Sequence, residues 1–381
     1  MGIKFEFLDA GNGDCIWITT DEGINILIDG GWSYTYDKMS KKKEDRLQRD
    51  DIKTKVKNLR ANNQKLDLVV LTHYDDDHII GLYKLLEAEN KQGENTIIKE
   101  IWFNAFEKGV LNPLYSNNKQ VGAPKQKQFE EVIEKILYIE YHDTVSIDEI
   151  RTPVEKDRIV VLSPYTDKDY LVTKEIALTL LSPNNEKIKE LKEEYDDYLS
   201  KQSGAKVSDW TKSIESLRDE DEYLDEEEAN GSSIAFILEY SKEKFLFLGD
   251  AHINLIAKSL KEMGYSVDNP LEVQFIKLSH HGSINNISKE FLSLVKTREF
   301  VVLAKSPTTH KHPDKETLVK IIEYYRGVQS EVNFKFNYEL ETIFPDITLF
   351  ESDELSRNNL LLIETSKNLK FVYQNKKVLN G

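Results

Sequence analysis

Short apolar runs separated by turns open the chain. IKFEFLD, CIWITT and INILID are strand-like, joined by segments rich in Gly and Asp, and together they predict a β-meander. Residues 39–60 are polar and helix-prone, with Leu47, Ile52, Val56 and Leu59 near one face. LDLVVL is apolar without a break, the pattern of a strand covered on both sides, and IIGLYKLLEAE continues as a helix. TIIKEIWFN predicts another strand, residues 107–130 a loop with Gly109, Pro113, Gly122 and Pro124, residues 129–141 a helix, and IALTLLSP a strand. SSIAFILEY and KFLFLGD predict a hairpin. LEVQFIKLSHHGS and FVVLAKS each predict a strand running into a loop after a helix-like stretch, and ITLFESD, NLLLIET and LKFVYQN predict terminal strands. No internal repeat is present. The pattern predicts one domain over residues 1–345, with the strands of 346–381 packed on it.

Between LDLVVL and its helix lies THYDDDH. A polar loop between a strand and a helix is where an α/β protein commonly builds its site. Asp75, Asp76 and Asp77 repel one another there, and a cation among them relieves that repulsion. Four other loops share the character: IDGG with Asp29, FLGDAH with Asp250 and His252, KLSHHGS with His280, His281 and Ser283, and THKHP with His310 and His312. The chain has eight histidines, and all but His142 fall in these loops. Singly, each residue has an ordinary reading: a turn for Asp29, a helix cap for Asp250, a surface position for Lys305, a structural imidazole for His252. Jointly those readings weaken, because loops that follow apolar strands meet at one sheet end. His–X–Asp–X–Asp–His can point alternate side chains at two adjacent cations. Imidazole with carboxylate suits Zn²⁺ or Mn²⁺, and Asp250 can bridge two metals about 3.5–4 Å apart.

Composition narrows the class. With 39% hydrophobic and 31% charged residues the chain is globular. It has no run apolar enough to span a membrane and no apolar signal core at its start, and Cys15 is its single cysteine, so the expected compartment is the cytoplasm. The net charge of −16 argues against a polyanionic partner, but it is unevenly spread. Residues 184–229 hold sixteen acidic against seven basic residues and predict an inserted helical hairpin whose charge is mainly a solvated face. Residues 38–60 hold ten basic against four acidic residues, a stretch able to contact a phosphate backbone.

With these residues in view, the chain resembles the metallo-β-lactamase-fold hydrolases, and among them the hydrolase domain of ComEC-type DNA-uptake proteins. LDAGNGDCIWITTDEGINILIDGG is similar to that branch's opening, THYDDDHIIG to its metal loop, and LTLLSP, NGSSIAFILEY, FLGDA, KLSHHGS and the HP of THKHPDKETL follow in order, across roughly residues 3–325. The resemblance implies a four-layer αββα sandwich of α/β class with metals at one edge. It implies that His73 and Asp75 hold one metal and Asp77 and His78 a second, with Asp250 between them and one histidine of the 280–281 pair, His281 by preference because the family's late histidine commonly precedes a Gly, as a further ligand. It makes His280 a group behind the ligands or facing phosphate, His312 a general acid or phosphate contact, Asp29 and Asn230 orienting partners, and Ser283, His310 and Lys305 candidate substrate contacts. The chain departs from the family at Asp75, where many members have His, and at Asn230, near which they carry another imidazole. The first site is therefore poorer in imidazole.

The function expected from this is a metal-dependent phosphodiesterase, foremost a nuclease on DNA or RNA, with Asp77 orienting a metal-activated water. A small-molecule hydrolase acting on a cyclic nucleotide, phosphocholine ester or lactone is the alternative, and a degenerate scaffold with the acidic insertion as its partner surface is the third reading. Soluble proteins of that branch resemble accessory effectors, for instance in defence against foreign DNA.

Overall fold

The computed structural model of the chain describes residues 2–38, 51–105, 123–133, 135, 138–167, 170, 172, 174–193, 208–217, 224–305, 311–326, 331–351, 354, 360–363 and 369–374. His310, most of the basic stretch 38–60 and parts of the acidic insertion lie outside the described residues.

Within them, two sheets face each other. The strands in chain order are β1 (Gly2–Phe7), β2 (Ile16–Thr20), β3 (Asn25–Ile28), β4 (Leu68–Val70), β5 (Glu100–Trp102), β6 (Glu140–His142), β7 (Val154–Glu155), β8 (Ile159–Leu162), β9 (Ile176–Ser182), β10 (Ala235–Tyr240), β11 (Glu243–Phe247), β12 (Leu271–Glu272), β13 (Ile276–Lys277), β14 (Val295–Lys296), β15 (Glu299–Val302), β16 (Val332–Phe336), β17 (Leu360–Ile363) and β18 (Leu369–Gln374). The first sheet runs β18-β1-β2-β3-β4-β5-β6 and the second β17-β16-β15-β13-β11-β10-β9-β8-β7, with β12 and β14 forming a small pair. The opening meander is antiparallel, and pairing turns parallel from β3 through β6. In the second sheet β9, β10 and β11 are antiparallel, and β11, β13, β15, β16 and β17 run parallel.

Three apolar layers hold this together. Between the sheets, alternate side chains of both meet, with Phe5 against Phe245 at 4.5 Å and Phe275 edge-on to Phe5 at 5.1 Å. Rings at such separations contribute beyond the area they bury. Helices Ile52–Ala61, Asp76–Asn90 and Ala123–Ile133 cover the outer face of the first sheet. Helices Ile253–Glu262, Lys289–Leu294 and Lys315–Tyr325 cover the second. The architecture is the expected α/β αββα sandwich.

Several local expectations change. The helix placed at 129–141 ends at Ile133, and Glu140–His142 instead pairs with β5 as an edge strand. ITLFESD forms no strand among its described residues, yet Leu349 and Phe350 are buried in the layer outside the second sheet. The terminal strands separate: β17 extends the second sheet and β18 closes the first against β1. Among its described residues the insertion is more than a charged, solvated face. Trp210, Ile214 and Leu217 enter the second sheet's outer core, and Asp209 accepts hydrogen bonds from the Lys315 and Glu316 amides at the start of a helix. No helix among the described residues is long and apolar enough to cross a membrane.

Candidate metal centre

Four strand ends deliver the site. β4 runs into His73, and Asp75 then stands at the N-terminal boundary of helix Asp76–Asn90 with its side chain not bonded to the helix amides, which places Asp76 and Asp77 in the first turn, where the helix dipole favours negative charge. β3 ends at Asp29, whose carboxylate joins the two parallel strand ends. Its Oδ1 accepts from the Thr72 amide at 2.8 Å, and its Oδ2 accepts from Thr72 Oγ1 at 2.7 Å and His78 Nδ1 at 2.9 Å. The loop before β2 presses on the same turn. A Cβ on Gly13 would fall 1.8 Å from the Asp77 carbonyl oxygen, so only glycine allows that approach. β11 ends at Asp250, whose amide donates to Ser233 Oγ at 3.0 Å. β13 leads into His280 and His281, both left-handed at φ 45° and 55°. Two consecutive non-glycine residues in that region store about 1–3 kcal/mol each.

The four rings share one orientation. Each turns Nδ1 outward to a partner: His78 to Asp29, His73 to Thr72 Oγ1 at 3.1 Å, His281 to the Leu303 carbonyl at 3.0 Å, and His280 to Asn286 Oδ1 at 3.3 Å. Each turns Nε2 inward to one oxygen, Asp250 Oδ2, at 3.6 Å for His78, 3.7 Å for His281, 3.8 Å for His73 and 3.9 Å for His280. Asp77 lies 3.4 Å from His281 Nε2 and 3.9 Å from His78 Nε2, and Asp75 lies 3.7 Å from His73 Nε2.

These residues fit divalent cations. With protons on the outward nitrogens, four inward lone pairs would face a carboxylate unless positive charge stands between them. The Nε2 atoms of His73 and His78 are buried without a hydrogen-bond partner, as is Asp250 Oδ1, and a buried polar atom left unsatisfied is costly. A cation bound tetrahedrally at about 2.0–2.2 Å spaces its donors by roughly 3.3–3.6 Å, close to the separations seen. Two donor sets stand out, His73–His78–Asp250 and Asp77–His78–His281. His78 has only Nε2 to offer, so it serves one cation or the other.

Electrostatics point the same way. Burial raises Asp250 and Asp77, but the neighbouring imidazoles outweigh it and hold both well below the usual carboxylate range. Burial lowers His78 and His280, but Asp250 and the other carboxylates outweigh it, raising His78 well above 6.5 and His280 to about 9. Protons stand in for the cations.

Two charged residues of this centre escaped sequence reasoning. Lys277, 1% exposed, forms an ion pair with Asp14, donates to the Gly249 carbonyl at 3.2 Å and sits 3.9 Å from Asp250 Oδ1. Asp14 Oδ1 lies 3.5 Å from His281 Nδ1. A lysine inside the apolar strand FIKLS was the available signal, since lysine is buried only when paired.

The remaining candidates lie farther out. His312 is buried, its ring 5.1 Å from that of His280. Burial and the charges of His280 and His281 push it down to about 4 against the pull of Asp314, so it is neutral near pH 7. Asn230 Nδ2 donates to Asp225 Oδ2 at 2.8 Å and lies 3.4 Å from His280 Nδ1. Ser283 caps a short turn through the Asn285 amide. Lys305 pairs with Asp9 at 3.2 Å beside the rings of Tyr34 and Tyr338. His252 donates from Nε2 to the Glu227 carbonyl at 2.8 Å.

Two facing sheets between helices, with a candidate metal centre at their edge, are consistent with a metallo-β-lactamase sandwich. Residues 8–160 match the model of the metallo-beta-lactamase superfamily, a span that holds Asp29, His73, Asp75, Asp77 and His78 and ends before Asp250. No curated protein matches the chain. Among solved structures, the chain is similar to Igni18, a metallo hydrolase from the hyperthermophilic archaeon Ignicoccus hospitalis KIN4/I, at 11% identity and a TM-score of 0.41 over 99% of this chain and 100% of that one. It is also similar to the metallo-beta-lactamase fold protein YhfI from Bacillus subtilis, at 8% identity and a TM-score of 0.40 over 97% and 100%. Zn²⁺-bound PqqB from Methylobacterium extorquens aligns at 9% identity and a TM-score of 0.39 over 97% and 99%. Likenesses of this size carry no inference about chemistry.

Proposed function

We propose that the protein is a metal-dependent hydrolase of phosphodiesters, with nucleic acid as the leading substrate. The observation that carries the metal part is the convergence of four imidazole Nε2 atoms on Asp250 Oδ2, each ring fixed from behind by its own partner. The phosphodiester part rests on the ordered likeness of THYDDDHIIG, FLGDA and KLSHHGS to the ComEC-type branch.

His78, Asp77, His281 and Asp250 are the donors for one cation, and His73, Asp75 and Asp250 for the other. Zn²⁺ or Mn²⁺ suits such a mixed set, and when bound such ions polarise a phosphoryl oxygen and bring the pKa of water toward neutrality. The chain's own part is to position. Asp77 accepts a proton or hydrogen bond from the attacking water, and neutral His312 offers a hydrogen bond to a phosphoryl oxygen rather than a charged acid. Lys277 offsets one carboxylate charge beneath Asp250.

A compact phosphodiester is the second reading. Asp225 lies against His280, and the Glu227 carboxyl is close enough to feel the charges of Asp75 and His280; these acidic groups of the insertion disfavour a long polyanion. Cleavage of plasmid, single-stranded DNA, RNA and bis(p-nitrophenyl) phosphate under Mn²⁺, Zn²⁺ or Mg²⁺, beside Asp77→Ala, tests both readings. Nucleic-acid cleavage lost in the variant supports the first. Cleavage of the small ester alone supports the second, and no cleavage of any substrate overturns both.

A further inference from the structure

The acidic insertion does more than border the centre. Asp225 has a side chain only 7% exposed. Its Oδ2 accepts from Asn230 Nδ2 at 2.8 Å and Asn286 Nδ2 at 3.0 Å, and lies 3.6 Å from His280 Nδ1. Its amide donates to the Asn285 carbonyl at 3.0 Å. Asn286 continues the chain of contacts, with Oδ1 3.3 Å from His280 Nδ1 and Nδ2 3.3 Å from the Asp250 carbonyl. The insertion also grips the turn that carries His312: Trp210 Nε1 donates to the Pro313 carbonyl at 2.8 Å.

We propose that the insertion is an integral part of the metal centre, in which Asp225 is a positioning residue that holds His280 as a metal-facing imidazole. The inference rests on the metal-centre reading above. Its physical basis is the pairing already seen at His78. There Asp29 takes the Nδ1 proton and leaves Nε2 aimed at Asp250; at His280 the Asn286 Oδ1 takes that proton at 3.3 Å, and the Asp225 carboxylate stands behind the same nitrogen at 3.6 Å while holding the Asn286 amide. A carboxylate behind an imidazole fixes its tautomer and raises its basicity as a ligand. His280 thereby adds a nitrogen to the set His73, Asp75 and Asp250, which otherwise has a single imidazole once His78 serves the other cation. Adjacent histidines then serve different cations, and the left-handed backbone at both is what lets consecutive rings reach one carboxylate.

The test measures metal per chain by mass spectrometry and Zn²⁺ and Mn²⁺ affinity by chelator competition, on the full chain with Asp225→Asn, His280→Ala, the double variant and the exposed control Glu226→Gln. Thermal melting of each metal-free variant checks folding. Asp225→Asn is expected to weaken one of two metal equivalents about 10–100-fold, to leave the other intact, and to add nothing in the His280→Ala background. Asp225→Glu, which restores the carboxylate, is expected to recover part of the loss. If wild type binds two equivalents and Asp225→Asn binds both equally well, this inference falls and the metal reading stands. If wild type binds no divalent cation, both fall.

Discussion

Among the described residues, two places gather a histidine with several carboxylates, and one of the two is built as a candidate metal centre. At the sheet edge, Asp250 is surrounded by four imidazoles whose outer nitrogens are already bonded, and the inner nitrogens of His73 and His78 are buried without a hydrogen-bond partner. On the edge strands β5 and β6, Glu100, Glu140 and His142 also lie within reach of one ion. There, however, Lys156 Nζ stands 2.6 Å from Glu140 and 3.5 Å from Glu100, and Trp102 Nε1 donates to Glu100 at 2.6 Å. His142 is 40% exposed on its side chain and lies 3.1 Å from Glu100. The second cluster already has its cation, in the form of a lysine. Proximity of ligand types is therefore a weak sign. A buried nitrogen braced on one side and unsatisfied on the other is a strong one.

The largest effect that would break this contrast is expected at Asp250. Asp250→Ala removes the oxygen to which all four Nε2 atoms point, and should abolish both metal uptake and hydrolysis. Retained metal stoichiometry in that variant, read by mass spectrometry, would sink the centre as described. Next comes Asp29→Asn, which leaves His78 without its acceptor and should lower metal affinity about 10–100-fold. Unchanged chelator competition would show that the brace behind His78 is only structural.

A pH series sharpens the comparison further. His78 is raised well above 6.5 and His280 to about 9, so both carry protons at neutral pH that a metal must displace. Metal binding should release protons at pH 7, and affinity should climb until pH passes about 9. Titration calorimetry in two buffers of different ionisation enthalpy reads the proton count, and a count of zero contradicts the expectation. The same groups tie the metal-free fold to pH. A group raised in the folded state adds stability that is full below 6.5 and is lost as pH rises through about 9 for His280. The smallest effect belongs to the second cluster. Glu140→Gln should leave metal content unchanged and shift stability by no more than about 1 kcal/mol, as exposed ion pairs do. A lost metal equivalent there would make the two clusters alike.

How much was legible in advance follows from distance along the chain. THYDDDH packs a strand end, a helix start and ligand spacing into consecutive residues, so its character shows in the string of letters. Asp29 and Asp250 were legible because each ends an apolar strand. The helix at 129–141 was misplaced because residues 140–142 look helical by composition, and only the open edge of β5 makes them a strand. ITLFESD reads as a strand because apolar residues in an irregular segment bury as well as those in a ladder.

The amino-acid sequence by itself determined the succession of strands and helices and the loops where candidate metal ligands are concentrated, because apolar periodicity and ligand spacing are local properties; the αββα layering was implied by the family resemblance. The tertiary structure alone decided that Lys277 and Asp14 sit beneath Asp250 and that the acidic insertion enters the site through Asp225. It also decided that His280 and His281 aim at one carboxylate while Glu100, Glu140 and His142 are satisfied by Lys156. Those outcomes depend on which residues distant in sequence approach within hydrogen-bond range, and on which polar atoms burial leaves without a partner.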